Sequence, residues 1–167
     1  SNTYASWNWK ANGAGSANTD GSISSTVSAN TTSGFSIISY TGTGSAGTIG
    51  HGLSSAPKIY IIKNLTDAND WKFYTTAIDG TLDILNLNTT DAKADSGGTL
   101  PTSSLFNIGT NANQGESGKN YIAYCFAEKK GYSKFGSYTG NGNADGTFVY
   151  TGFKPAWIMI KRTDGAD

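Results

Sequence analysis

The sequence has little charge, a single arginine and no long apolar run. Only 14% of its 167 residues are charged, the formal net charge is zero, and Arg162 is the one arginine. Nucleic-acid-binding proteins normally carry a basic surplus that neutralises phosphates, so we expect no nucleic-acid partner. No apolar run approaches the roughly 18 residues that span a bilayer, and we therefore expect no membrane insertion.

Cysteine and histidine each occur once. One cysteine cannot form an internal disulfide, and the apolar surroundings of Cys125 predict a small buried residue within a strand. Structural zinc needs four nitrogen or sulfur ligands, which this composition does not offer. His51 stands between two glycines, without a nucleophile elbow nearby, and we predict a solvated turn residue. We expect no cofactor and no catalytic residues.

Small polar residues dominate what is present. Gly, Ser, Thr and Asn fill 77 of the 167 positions, and this mixture suits turns and strands because glycine and β-branched threonine are poor helix formers. The sequence also contains 20 aromatic residues, enough for a packed core. Short apolar or alternating stretches are separated by turn residues throughout. These features predict an all-β fold, an antiparallel β-sandwich. The expected strands cover residues 35–40, 58–63, 71–74, 82–87, 105–108 and 121–127.

Part of the sequence returns at a spacing of 98 residues. Residues 34–44 (GFSIISYTGTG) are similar to residues 131–142 (GYSKFGSYTGNG). The matched pairs include Ser39 with Ser137, Pro57 with Pro155, Ile62 with Ile160 and Lys63 with Lys161. Small insertions or deletions separate the first match from the prolines, because residues 52–53 fit residues 152–153 best. A fainter likeness joins residues 4–9 to residues 121–126, with aromatic residues at alternate positions. Fixed spacing of this kind indicates tandem structural repeats.

The repeat predicts four parts of the chain. Residues 1–11 would be the last strand of a preceding repeat, and residues 12–33 a Gly/Ser/Thr/Asn-rich connector in which Ile23 and Val27 suggest an edge strand. Residues 34–130 would form a complete sandwich, and residues 131–167 the start of a second, truncated one. A partial sandwich exposes apolar surface and unpaired edges. We therefore expect either a longer chain or strands supplied by neighbouring chains.

Two groups of polar residues are candidates for ligand binding. Asn69, Asp70 and Trp71, with Tyr138 elsewhere, could stack on and hydrogen-bond a sugar; core packing of Trp71 and a turn at Tyr138 are the structural alternatives, which we favour. Asn141, Asn143 and Asp145 alternate like calcium ligands, but Gly152 stands where the bidentate acid of a calcium loop belongs. We favour a tight polar turn there and expect no metal.

A hydrolase of sugars would need two carboxylates about 5–10 Å apart across a cleft. The candidates are Asp67, Asp70, Asp79, Asp83 and Glu128. Most stand in turn contexts, where aspartate serves backbone hydrogen bonds, and Glu128 fits a solvated strand end. We do not expect an enzyme.

Residues 7–13, 18–27 and 34–44 resemble a repeat domain of marine bacteriophage structural and tail-fibre proteins. The strand after Pro57, residues 121–128 and residues 131–161 extend the resemblance over nearly the whole chain. The resemblance implies a virion or extracellular protein that contacts the host surface, and it offers no catalytic residue to carry over.

These observations together lead us to expect a structural repeat module of a phage tail fibre or related virion appendage. Such a module would self-associate into a homo-oligomeric fibre, with a contribution to host-surface adhesion and a surface glycan as a further partner. A lectin-like carbohydrate-binding module of an extracellular protein is the alternative. A polysaccharide-degrading tailspike is the third reading.

Overall fold

The chain forms an all-β, antiparallel structure, as the sequence predicts. The computed structural model describes residues 2–165, and these contain ten strands and no helix, so no helix among them could cross a membrane. The strands are β1 (Ser16–Asn18), β2 (Ser25–Asn30), β3 (Phe35–Thr41), β4 (Gly47–Gly50), β5 (Ile59–Asn64), β6 (Lys72–Thr75), β7 (Asp83–Asn86), β8 (Ala94–Asp95), β9 (Leu105–Ile108) and β10 (Asn120–Phe126). All six predicted strands are present, within a few residues of their expected bounds.

Two sheets are formed, and β10 lies at the middle of the larger one. The eight-stranded sheet has the order β1-β2-β3-β10-β5-β6-β7-β8, while β4 and β9 pair in a second sheet. Strand β10 pairs antiparallel with β3 over seven residues and with β5 over six. Strand β10 comes last along the chain, yet it lies between β3 and β5 in the sheet.

The main core lies between the large sheet and the β4–β9 pair, an arrangement consistent with a β-sandwich. Side chains alternate across each strand, so every second residue of β3, β5 and β10 enters this core. Fully buried members include Ile38, Ile49, Ile62, Phe106 and Tyr121. Burial of each large apolar side chain stabilises the fold by roughly 1.5–3 kcal/mol. Cys125 is fully buried among them, as predicted.

The opposite surface of the large sheet, called the outer face below, is also apolar. Ile59, Phe73 and Leu85 are buried there, with Ile61 and Phe126 packed against them. Because both faces of β5 and β10 carry apolar side chains, these strands read in the sequence as continuous apolar runs.

Residues 12–33 do not form a connector outside the sheet. They contribute β1 and β2, and β2 pairs with β3 in a register that sets Val27 beside Ile38. Ile23 is buried in the main core. Strand β2 carries mostly small polar side chains on its outer face, which is why its composition resembles a linker.

The segments on either side of residues 12–130 contain no strand within the described residues. We call residues 2–11 the N-terminal segment and residues 131–165 the C-terminal segment. The single β-bridge involving either one joins Lys129 to Ser133. The strand expected in residues 1–11 is therefore not formed in its described part, because no neighbouring backbone supplies a ladder of hydrogen bonds there.

Candidate functional site

The clearest concave surface is a cleft of about 670 Å³ between the two sheets, called the central cleft below. Strands β5, β6 and β7 form one wall, and β4, β9 and the loop after β9 form the other. The rings of Tyr60 and Tyr74 stack in parallel at its base, with centroids 4.6 Å apart. Both rings are buried, so little of their surface is exposed to the cleft.

The rim of the cleft is polar and nearly uncharged. Lys72 is the one charged residue that lines it, and its Nζ donates to Asn86 at 2.7 Å and lies 3.6 Å from the Asp70 carboxylate. Burial raises the pKa of Tyr74 to about 12, so the phenol is neutral at physiological pH. The described lining includes no carboxylate, imidazole or thiol. The side chains in this lining that could act as general acids or bases are therefore limited to Lys72 and the two tyrosines.

Two amide side chains in the lining are available to a ligand. Among the described residues, the side chains of Asn107 and Asn113 make no hydrogen bond within the chain. An amide offers two donors and one acceptor, the complement of a sugar hydroxyl pair. The central cleft therefore combines a nearly uncharged lining with free amides at its rim.

The loop after β9, which carries Asn113, is held in place by buried phenols. The hydroxyl of Tyr121 donates to the Ala112 carbonyl at 3.0 Å, and that of Tyr40 donates to the Gln114 carbonyl at 2.8 Å. Gly115 allows the loop to close, since a Cβ there would lie 2.0 Å from the Gly109 carbonyl oxygen. Sequence reasoning could not predict this arrangement, because the loop reads only as polar turn material.

The glycan candidates predicted from the sequence lie outside the lining of the central cleft. Asn69 donates to the Ala112 carbonyl, and Asp70 accepts from Asn88 at 2.9 Å. The ring of Trp71 is 38% exposed and stacks on Tyr124 at the outer face, with centroids 6.5 Å apart. The fourth candidate, Tyr138, is exposed in the C-terminal segment. Lys72 therefore lines the central cleft, whereas the predicted candidates that precede it in the sequence, Asn69, Asp70 and Trp71, do not.

The calcium candidates form a hydrogen-bonded turn. Asn141 Oδ1 accepts from the Asn143 amide at 3.1 Å, and Asn141 Nδ2 donates to the Asp145 carbonyl at 2.9 Å. These bonds engage the side-chain oxygen that a cation would need. Across residues 2–165, no cluster of three or more His, Cys, Asp or Glu side chains could hold a metal ion.

Each of the five carboxylates that the sequence offered for sugar hydrolysis has a lysine beside it. The pairs are Asp67 with Lys119 at 2.9 Å, Asp70 with Lys72 at 3.6 Å, Asp79 with Lys93 at 2.7 Å, Asp83 with Lys93 at 2.6 Å and Glu128 with Lys134 at 3.2 Å. Asp79 and Asp83 come closest to a catalytic pair because they share one ammonium group. Asp83 is fully buried, however, and a polysaccharide cannot reach it.

His51 is buried, so the prediction of a solvated turn residue is wrong. Its Nδ1 accepts from the Leu53 amide at 3.1 Å, and its Nε2 lies 3.2 Å from the Thr102 carbonyl, which makes Nε2 the protonated nitrogen. Burial lowers the pKa of the imidazole, although the Thr102 carbonyl and Asp20 act in the other direction. The ring joins the end of β4 to the loop before β9 and stays neutral.

The N- and C-terminal segments meet on the outer face. Trp9 packs on Phe35 and Phe126, with ring centroids 6.4 Å and 5.8 Å away. The rings of Trp9 and Trp157 meet edge to face, with centroids 5.3 Å apart. Phe135 contacts Phe126 from the other side. Both segments therefore cover part of the apolar outer face without joining its hydrogen-bond ladder.

Exposed apolar side chains are concentrated in these two segments. Fifteen large hydrophobic side chains are exposed among the described residues, and only Leu65, Trp71 and Leu100 lie within residues 12–130. The other twelve belong to the two segments, which hold 45 of the 164 described residues. Phe148, at 85% exposed, is the most accessible in the C-terminal segment. A concentration of exposed apolar side chains is typical of an interaction surface.

Comparison with curated proteins and with solved structures finds no match to the chain. A family described as a domain of unknown function, DUF7483, matches residues 1–167, which is the entire sequence. The chain therefore belongs to the DUF7483 family.

Proposed function

We propose that this chain is a structural module of a phage tail fibre or related virion appendage, and that it self-associates into a homo-oligomeric fibre that contributes to host-surface adhesion. The observation that carries the proposal is the contrast between a closed sandwich core and the exposed apolar side chains of the flanking segments. A monomer gains nothing by leaving twelve large hydrophobic side chains in water, whereas an assembly would bury them. The resemblance to marine phage fibre repeats points to the virion as the place of that assembly.

A non-catalytic role is part of this proposal. The lining of the central cleft has no carboxylate, and Asp83, half of the closest carboxylate pair, is buried against Lys93. These observations give no support to a polysaccharide-degrading tailspike. Host polysaccharide incubated with the protein is expected to release no reducing sugar.

Immunogold labelling of phage particles tests the location. Antibodies against the purified chain should label a tail fibre or another appendage in electron micrographs of a phage that encodes it. Particles of a phage without the gene serve as the control. Labelling confined to the capsid interior, or to the lysate and not the particle, would contradict the proposal.

Carbohydrate binding in the central cleft is the second candidate function. The nearly uncharged lining and the unpartnered amides of Asn107 and Asn113 favour a neutral sugar over a charged ligand. The hydroxyls of such a sugar would hydrogen-bond to these amides. This candidate is compatible with the fibre role, because adhesion to a host glycan needs such a site.

A glycan array tests the second candidate, with two variants to locate the site. Asn107→Ala and Asn113→Ala should each weaken binding by about tenfold, since a lost hydrogen bond to a ligand costs on the order of 1–1.5 kcal/mol. Asn143→Ala, in an exposed turn of the C-terminal segment, is the matched control and should bind as the unaltered chain does. An array without hits would rule out the candidate, and equal loss in all three variants would move the site elsewhere.

A further inference from the structure

The two flanking segments match the three strands at the middle of the large sheet. Strand β10 lies between β3 and β5. The N-terminal segment carries the β10-like residues 4–9, while the C-terminal segment carries β3-like residues 131–142 and the β5-like residues 157–161. The N-terminal segment therefore matches the central one of these three strands in sequence, and the C-terminal segment matches its two neighbours.

We propose that the N-terminal segment of one copy of this chain pairs as a strand between the β3-like and β5-like segments of a second copy. This inference rests on the proposed self-association and names the surfaces that produce it. Strand addition of this kind supplies the backbone ladder that both segments lack and buries their apolar side chains. Because each chain offers a donor at one flank and an acceptor at the other, the contact is head to tail and propagates into a fibre.

A contact within the chain already follows the register of the complete unit. Phe126 of β10 is the direct cross-strand partner of Ile59 of β5. By the sequence match, Trp9 corresponds to Phe126 and Trp157 corresponds to Ile59. These two tryptophans touch at 5.3 Å. The residues that would be direct partners in a β10–β5 pair are thus complementary in size and chemistry.

The backbone of the C-terminal segment repeats the turns of the complete unit. Three glycines before, between and after β3 and β4 have positive φ, and the matched glycines of the C-terminal segment have it too. The φ values are 71° at Gly34 and 75° at Gly131, 75° at Gly44 and 70° at Gly142, and 69° at Gly52 and 81° at Gly152. The turns that would direct a second set of β3-, β4- and β5-like strands are therefore present before any ladder has formed.

The side chains that need partners are the ones this pairing would cover. Ile158 and Ile160 of the β5-like segment are 66% and 68% exposed, although the matched Tyr60 and Ile62 are fully buried in the core. Tyr4, which corresponds to the buried Tyr121, is 88% exposed. Pairing between copies would give these residues the environment that their counterparts already have.

Disulfide trapping between two different variants of the 167-residue chain tests the pairing. Ala123 and Ile62 are direct partners in β10 and β5, so Ser6 and Ile160 should be partners across the proposed contact. A mixture of Ser6→Cys and Ile160→Cys chains should give a cross-linked species of twice the chain mass under mild oxidation. Both positions are exposed, so neither variant disturbs the core, and the natural Cys125 is fully buried.

The matched control mixes Ser6→Cys with Met159→Cys, because a shift of one residue turns the thiol to the other face of the strand. The mixture with Ile160→Cys should cross-link several-fold more than this control. If the chain associates in sedimentation but the two mixtures cross-link to the same extent, the pairing is overturned and the fibre proposal still stands. A double variant that links only within one chain would overturn it as well. A chain that stays monomeric would overturn both proposals.

Discussion

His51 illustrates how a single residue can be misread from sequence. Its two flanking glycines suggest an open turn, yet the ring is buried with both nitrogens hydrogen-bonded. Gly50 serves close packing, since a Cβ there would lie 2.0 Å from the Asn18 side chain, whereas Gly52 has the positive φ of a turn. Sequence reasoning identifies glycine and histidine, but not which side chain from β1 approaches them.

The buried imidazole predicts a pH dependence of stability. Because burial lowers the pKa of His51 in the folded state, the unfolded chain binds the proton more readily. The stabilisation is fully present above the ordinary pKa of about 6.5 and is lost as pH falls below it. Urea unfolding at pH 7.5, 6.0 and 5.0 should therefore give a falling free energy of unfolding.

His51→Gln provides the comparison, since the chain has no other histidine. The variant should lose about 1–3 kcal/mol of stability at pH 7.5, because a buried hydrogen-bonding partner is replaced. The decrease in its free energy of unfolding between pH 7.5 and 6.0 should also be much smaller than that of the unaltered chain. The same pH dependence in both proteins would show that another group is responsible.

At the scale of elements, most of the large sheet could be predicted because its strands are apolar. Strands β3, β5, β6, β7, β9 and β10 all read as short apolar or alternating runs. Strands β1 and β4 were not predicted, and β2 was suggested only by Ile23 and Val27, because their residues are mainly Gly, Ser, Thr, Ala and Asn. Such a strand is defined by its neighbour rather than by its own periodicity. The central cleft could not be predicted, since its lining comes from strands and loops far apart in the sequence.

One lysine pairs with two carboxylates at the edge formed by β7 and β8. Lys93, just before β8, donates to the buried Asp83 of β7 at 2.6 Å and to Asp79 at 2.7 Å. These two carboxylates raise the pKa of the lysine, so it stays charged, and its ammonium compensates a carboxylate that has no contact with water.

Lys93→Met should therefore destabilise the protein markedly. An unpaired buried carboxylate at Asp83 costs about 3–5 kcal/mol, which urea unfolding would measure directly. Adding Asp83→Asn should restore much of the loss, because the amide carries no charge. Lys119→Met breaks the more exposed pair with Asp67 and serves as the control with little effect. Equal effects of the two lysine variants would contradict the role assigned to Asp83.

At the scale of the whole molecule, the chain combines one closed β-structure with two flanks that form no strand within the described residues. The sequence predicted a complete unit at residues 34–130, whereas the closed structure also includes β1 and β2 from residues 12–33. The sequence could not predict that the two flanks would meet on the outer face, where Trp9 touches Trp157. Trp9 packs on Phe35 and Phe126 together because the sheet order places β3 beside β10.

Sedimentation velocity of the 167-residue chain over a wide concentration range tests self-association most directly. The account predicts species larger than a monomer whose proportion rises with concentration. A variant with Trp7→Ser and Ile160→Ser, both exposed, should shift the distribution back toward monomer while its unfolding transition stays unchanged. A chain that sediments as a monomer at every concentration, with the variant indistinguishable from it, would contradict the account.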